Sequence, residues 1–141
     1  MTRNNKGFTL MEVLFVLATL SVITLLSPSM NVSSLETIQE QQFLTVFQSD
    51  VLYTQNLSTT TEEYVRIRFY TDNYKIKSGS ETLITRYYPN GIQLDTRGNP
   101  IIVFKITGAI VNRKIIKVTT NQAVYHIVFP LGKGRINIVE I

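Results

Sequence analysis

The sequence predicts an α+β fold, in which one long N-terminal helix is followed by a small antiparallel β domain, built as a sandwich or as a pair of sheets. Two observations predict it. Apolar residues run almost unbroken through residues 8–26, and helical spacing continues to about residue 57. From residue 64 onward the apolar period changes to two, and turn residues separate seven or eight short segments.

The apolar segment comprises 19 residues, 8–26, with a single charge at Glu12. Because about 20 helical residues cross the hydrocarbon of a bilayer, it is predicted to be a transmembrane helix. Arg3 and Lys6 precede it, so the positive-inside rule keeps residues 1–7 in the cytoplasm and places the rest outside. A cleaved secretory signal peptide fits less well, because SPSM is a poor cleavage site.

The same helix is predicted to continue through the polar residues 31–42 toward Leu57, and residues 58–63 are predicted to form a loop. Pro28 weakens the helix, because proline lacks a backbone donor. A face that is predicted to pack on the β domain comprises Phe43, Leu44, Phe47 and Val51.

The β domain is predicted from alternation and turns. In YVRIRFY, residues 64–70, three apolar residues alternate with two arginines. PNG at 89–91 and RGNP at 97–100 are turn signals. The other predicted strands are 74–77, 82–88, 101–106, 114–119, 123–129 and 135–139.

Composition argues against an enzyme. The chain has no cysteine, which excludes disulfides, thiolate metal ligands and a cysteine nucleophile. His126, the single histidine, lies in a predicted strand and is interpreted as structural, so no catalytic residue, metal site or cofactor is predicted. Residues 1–96 carry seven Lys and Arg against nine acids, whereas residues 97–141 carry seven against one.

The start of the apolar segment, KGFTLMEV at residues 6–13, resembles the leader junction of type IV pilin-like proteins. A short basic leader, a Gly-Phe junction and an acid at the fifth position after the glycine carry the resemblance. It implies that prepilin peptidase cuts between Gly7 and Phe8 and methylates the new amine of Phe8. It also implies that the apolar segment is retained.

The resemblance gives a role to Glu12. Its carboxylate would pair with the Phe8 amine of a neighbouring filament subunit. A wrong stagger between subunits would leave this charge unpaired, which costs free energy. The alternative is that Glu12 extends to the lipid headgroups. The chain departs from the family pattern in one respect: many members have a proline at the twenty-second residue after the cut, whereas Pro28 is the twenty-first.

The rest of the chain is similar to the GspH-type minor pseudopilins, including the ComGD proteins of competence systems, in the order of its elements and in a final glycine-marked hairpin, FPLGKGRINI. The similarity implies a pilin-like fold with four parts. These are a leader at 1–7, a transmembrane and filament-core half-helix at 8–30, a soluble half-helix at 31–58 and an extracellular β-rich domain at 59–141.

The implied function is that of a minor pseudopilin that helps to initiate or cap a competence pilus for uptake of exogenous DNA. Its partners would be other major and minor pseudopilins and prepilin peptidase, with an assembly ATPase and a membrane platform protein acting indirectly. It would be a single-pass membrane protein with its C-terminal domain outside, and part of a surface pilus after assembly. The alternatives are a type II secretion pseudopilin and a membrane-anchored binding module outside any filament.

The basic last third suggests a polyanion surface. Tyr125 could stack on a base of single-stranded DNA. Two alternatives remain open, a solvated face that protects a sheet edge from aggregation and contact with wall teichoic acids, which are also polyanions. The candidate DNA contacts are Arg113, Lys114, Lys117, Lys133 and Arg135.

Overall fold

A computed structural model describes residues 7–25, 32–132 and 134–141. The chain divides into two compact units, Met1–Asn31 and Val32–Ile141. The predicted weak point at Pro28 and the candidate DNA contact Lys133 lie outside the described residues.

The first unit contains helix α1, Leu10–Leu25. It begins at Leu10, two residues later than predicted, because Thr9 caps it. The Glu12 N–H donates to Thr9 Oγ1 at 3.3 Å, and the Val13 N–H donates to the Thr9 carbonyl at 3.2 Å. Across the described ranges, no helix combines the length and the apolarity needed to cross a membrane, so the transmembrane part of the predicted fold is not confirmed.

The second unit begins with helix α2, Val32–Thr60. The sequence predicted a loop from residue 58, which is wrong, since the helix continues to Thr60. Hydroxyl side chains of its last turn bond to carbonyls of the preceding turn, so their polar groups are satisfied within the helix. Ser58 Oγ donates to the Gln55 carbonyl at 2.9 Å, and Thr60 Oγ1 donates to the Asn56 carbonyl at 3.0 Å.

Eight strands follow α2 in the described residues, and every pairing is antiparallel. One sheet has the order β3-β2-β1-β5 and the other the order β4-β6-β7-β8. The predicted α+β class with antiparallel sheets is therefore confirmed. The strands are β1 Val65–Phe69, β2 Asn73–Ser78, β3 Glu81–Tyr87, β4 Gln93–Asp95, β5 Ile101–Phe104, β6 Lys114–Thr119, β7 Val124–Phe129 and β8 Asn137–Glu140.

The core lies where α2 meets both sheets. Phe47 of α2 is fully buried, and its ring centroid lies 5.9 Å from that of Phe69, 5.2 Å from that of Tyr74 and 6.2 Å from that of Phe129. These aromatic contacts join the helix to β1, β2 and β7. The predicted packing face of α2 is confirmed, because Phe43, Phe47 and Val51 are buried and Leu44 is partly buried against them.

Polar contacts add two further links between α2 and the sheets. The buried Asp50 carboxylate accepts hydrogen bonds from Tyr74 Oη at 2.7 Å and from Arg86 Nε at 3.0 Å. Burial, together with the bond to Asp50, raises the pKa of Tyr74 well above its usual range. On the other sheet, a hydrogen bond to the Glu40 carboxylate and burial raise the pKa of Tyr125 to about 12.

Candidate functional site

The predicted cleavage junction lies in an open stretch just before α1. Residues 7–9 are not helical, and the Phe8 side chain is 84% exposed. Among the described residues, a Cβ placed on Gly7 would meet no atom within 4 Å, so packing against them does not require glycine here. A glycine that the fold does not need is consistent with recognition by another protein.

Glu12 occupies the first turn of α1, where the helix dipole favours a negative charge. Thr9 and Glu12 hold the first and fourth positions of a T-x-x-E capping box, with the Glu12 N–H bonded to the threonine hydroxyl. The capping box was not predicted from the sequence, although TLME displays it directly. In the described part of the chain, no cation lies within salt-bridge distance of the Glu12 carboxylate.

The side chains of α1 are exposed in the structure as described. Each of its 16 residues is exposed, and none is buried. Apolar residues surround the whole helix rather than forming one stripe, and a helix of that kind is ordinarily buried in a large core or in a membrane. The surface of α1 is therefore suited to a partner or a solvent outside the unit.

The candidate DNA contacts of β6 do not share one surface. Lys114 and Lys117 are three residues apart, and alternation along a strand puts them on opposite faces. Lys114 shares the face of the buried Ile116. The Nζ atom of Lys114 donates to the Asn99 carbonyl and lies 5.9 Å from the centroid of the Phe69 ring. Burial lowers the pKa of Lys114.

The remaining candidates are placed separately. Lys117 lies on the opposite face, beside Asp95 and His126 in the strand register. Arg135 is exposed in the segment before β8. The four described cations therefore do not form a single patch, and direct DNA contact through the five candidates stays a prediction.

Two of these cations, Arg113 and Lys114, line a cavity of about 830 Å³ together with Arg97. Its lining also contains Asn99 and Asn112 and has no acidic residue. The floor is aliphatic, without an aromatic ring for base stacking. The aliphatic part comprises Ile101, Ile102, Val103, Ile110, Val111 and Ile115.

Tyr125, the expected base-stacking residue, lies on the inner face of its strand, and its stacking role stays a prediction. Tyr125 has the same parity in β7 as the buried Ile127 and Phe129, so it belongs to the inner face. Its hydroxyl is engaged by Glu40 of α2.

Comparison with known proteins gives one informative match. The chain is 25% identical over 144 residues to the competence protein ComGD of Bacillus subtilis (strain 168), and the alignment covers 94% of this chain and 92% of that protein. No family model matches the sequence, and no solved structure matches it. The resemblance to ComGD-type competence pseudopilins that was inferred from the sequence is thereby confirmed along nearly the whole chain.

Proposed function

We propose that this protein is a minor pseudopilin of a competence pilus and that it helps to initiate or cap the filament that takes up exogenous DNA. The observation that carries the proposal is α1, a helix with exposed apolar side chains on every side that follows an exposed Gly-Phe junction. The similarity to a competence protein over 94% of the chain favours this system. The role is structural rather than enzymatic.

Processing is the first step of the proposal. Prepilin peptidase cuts between Gly7 and Phe8, removes residues 1–7 and methylates the amine of Phe8. The open, non-helical backbone at residues 7–9 supports this step, because a protease needs an extended and accessible substrate. The absence of any packing requirement for Gly7 supports it as well.

Assembly is the second step. Residues 8–30 anchor the processed chain in the membrane and later pack among the corresponding helices of other major and minor pseudopilins. The 19 mostly apolar residues at 8–26 support the anchor. Residues 31–58 and 59–141 lie outside the cell, first at the membrane and then on the pilus. An assembly ATPase and a membrane platform protein drive extraction without touching this outer part.

Glu12 sets the stagger between neighbouring subunits. After the cut, the Phe8 amine of one subunit is a cation that can neutralise the Glu12 carboxylate of the next. The exposure of Glu12 supports this pairing, as does the lack of a partner for its carboxylate in the described part of the chain. A buried charge that stays unpaired costs several kcal/mol, so a wrong stagger is disfavoured.

The test replaces the only copy of the gene product with a Gly7→Glu variant. Cleavage is read from the size of the protein on a gel, and DNA uptake is read as labelled DNA that becomes protected from added nuclease. The expected result is uncut protein and lost uptake, because the peptidase no longer recognises the junction. A Ser80→Glu variant, altered at an exposed turn residue of the β domain, is the control and should be cut normally.

A second pair of variants separates processing from assembly. Glu12→Ala should be cut like the unaltered chain and should yield few filaments, whereas Glu36→Ala in α2 should yield normal filaments. Uncut Gly7→Glu protein with normal DNA uptake would assign the chain to a secretion filament instead. Normal cleavage of Gly7→Glu would contradict the pilin-type processing itself.

A further inference from the structure

The outer face of the sheet β3-β2-β1-β5 carries a block of four cations. Alternation puts Val65, Ile67 and Phe69 of β1 on the buried face, so the two arginines between them point outward. The strand register sets each arginine directly opposite a lysine of β2. We call these four residues the basic face, and they pair as Arg66 with Lys77 and Arg68 with Lys75.

This arrangement is unfavourable for the isolated chain, because like charges directly opposite each other destabilise an antiparallel pair. The register positions directly beside the four cations do not neutralise it. By the register, these positions are Thr82 and Thr85 in β3 and Ile101 and Val103 in β5. The central strand of a sheet needs no charges to protect an edge, so that usual explanation does not apply.

Two acids close to the basic face in sequence, Glu63 and Asp72, are engaged by other groups. Glu63 Oε2, just before β1, accepts a hydrogen bond from Ser78 Oγ at 2.6 Å. Asp72 Oδ1, just before β2, accepts one from Asn73 Nδ2 at 2.6 Å. Within the described residues, the ion pair found is that of Asp50 with Arg86, which leaves the basic face without a carboxylate partner.

An aromatic ring joins two of the four cations. Tyr70 follows β1 and is 38% exposed. The Cζ atom of Arg68 lies 5.4 Å from the centroid of its ring, and the Nζ atom of Lys75 lies 5.3 Å from it. Cation–π contacts of this kind hold two repelling side chains over one surface.

We infer that the basic face binds the phosphodiester backbone of a linear polyanion. Under the proposed function, which is DNA uptake, that polyanion is DNA. Arginine and lysine are the usual partners of phosphate oxygens. Cations at alternate positions of two neighbouring strands form two rows, about 5 Å apart across the strands and about 7 Å apart along them. A chain of phosphates along these rows would turn the mutual repulsion of the cations into attraction.

The inference rests on the proposed function for the identity of the polymer, and its test uses the full chain in zwitterionic detergent micelles. Binding of a fluorescent 30-base-pair DNA duplex would be measured by anisotropy as the salt concentration increases. The key variant is Arg68→Gln with Lys75→Gln, which removes one facing pair. The matched control is Arg113→Gln with Lys117→Gln, which also removes two positive charges, at and just before strand β6 of the other sheet.

The pair variant is expected to bind about tenfold more weakly, and its slope of log affinity against log salt should fall by about 2. The control should keep both the affinity and the slope. The pair variant should also unfold at an equal or higher temperature, because a like-charge pair has been removed. Weaker binding combined with unchanged or greater stability would exclude misfolding as the cause.

Three outcomes decide the inference. Equal losses in the pair variant and the control would overturn it and favour the last third of the chain, and no binding by the unaltered chain would overturn it as well. Comparable binding of poly(glycerol phosphate), lost in the same pair variant, would support phosphodiester recognition and name a wall polymer as its source. Cleavage and filament formation by the pair variant should be normal, so a failure here is distinct from a failure of the pseudopilin proposal.

Discussion

The two helices of this chain differ in a way that composition alone would not suggest. Helix α1 is almost wholly apolar and buries none of its residues, whereas α2 is largely polar and buries a full face. The buried residues of α2 even include Glu40, Asp50 and Thr54. Burial here depends on which surface the chain itself provides. The sheets provide one for α2, whereas the exposed surface of α1 is available for contacts with other molecules.

The largest expected effect is on the stability of the second unit, and it tests this difference between the two helices. Phe47→Ala should lower the free energy of unfolding of the second unit by about 3–5 kcal/mol, because a fully buried ring with three sheet partners is replaced by a cavity. Leu17→Ala in α1, at a side chain that is 55% exposed, is the matched control and should leave that value unchanged. Urea unfolding followed by tyrosine fluorescence measures both. A similar loss in the two variants would contradict the contrast between the helices.

Most of the fold could be predicted because its signal is periodic. The spacing of Phe43, Phe47 and Val51 predicted the buried face of α2, and two-residue alternation predicted β1 with its exact inward residues. Short or polar segments gave no such signal. Strand β4 has three residues, too few to display a period. The last turn of α2 is rich in serine and threonine, which favour turns, so it was predicted to be a loop. In the structure their hydroxyls bond to carbonyls of the helix itself.

Charge was harder to predict, because counting along the chain mixes residues that folding separates. Residues 1–96 carry a net negative charge. The acids Glu40 and Asp50 in this stretch lie buried on α2, whereas four of its cations form the basic face on the opposite side of the sheet. The count therefore directed attention to the last third. The register that places Arg66 beside Lys77 depends on the turn between the strands, which sequence alone did not specify.

In the candidate site, too, local motifs could be predicted from the sequence, whereas contacts between distant residues could not. Gly7, Phe8 and Glu12 could be selected because the junction is a local motif, and the structure adds the cap made by Thr9. The inward position of Tyr125 could also have been predicted, since its parity with Ile127 in the strand predicts an inward ring. What the sequence could not show was its partner, because Glu40 is 85 residues away along the chain.

An effect of intermediate size is expected at high pH, and it concerns the buried contacts of α2. The pKa of Tyr125 is about 12 in the folded chain and about 10 in an unfolded one. Between these values the folded state holds a proton that the unfolded state has lost, so stability is complete below about pH 10 and falls as the pH rises toward 12. The raised pKa values of Tyr74 and Tyr88 act in the same direction.

Urea midpoints between about pH 9 and 11.5 measure this loss, and a Tyr125→Phe variant should show a shallower decline than the unaltered chain. Tyr53→Phe, at an exposed tyrosine of α2, is the control and should follow the unaltered chain. Helix α1 contains no tyrosine, so its helical signal should not change over this range. A decline that is equally steep without the Tyr125 hydroxyl would contradict the role of the bond to Glu40.

The smallest expected effect concerns the exposed helix. Thr9→Ala removes the hydroxyl that accepts the Glu12 N–H, and the loss of such a cap costs about 1 kcal/mol of helix stability. The Glu12 N–H also donates to the Thr9 carbonyl at 3.1 Å, so the Glu12 amide should exchange its hydrogen faster in detergent micelles by about fivefold at most, which is the same energy expressed as a rate. Thr9→Ser keeps a hydroxyl and should restore slow exchange, while the urea midpoint of the second unit stays the same in both. Unchanged protection of the Glu12 amide in Thr9→Ala would mean that the apolar surroundings, rather than the cap, determine where α1 begins.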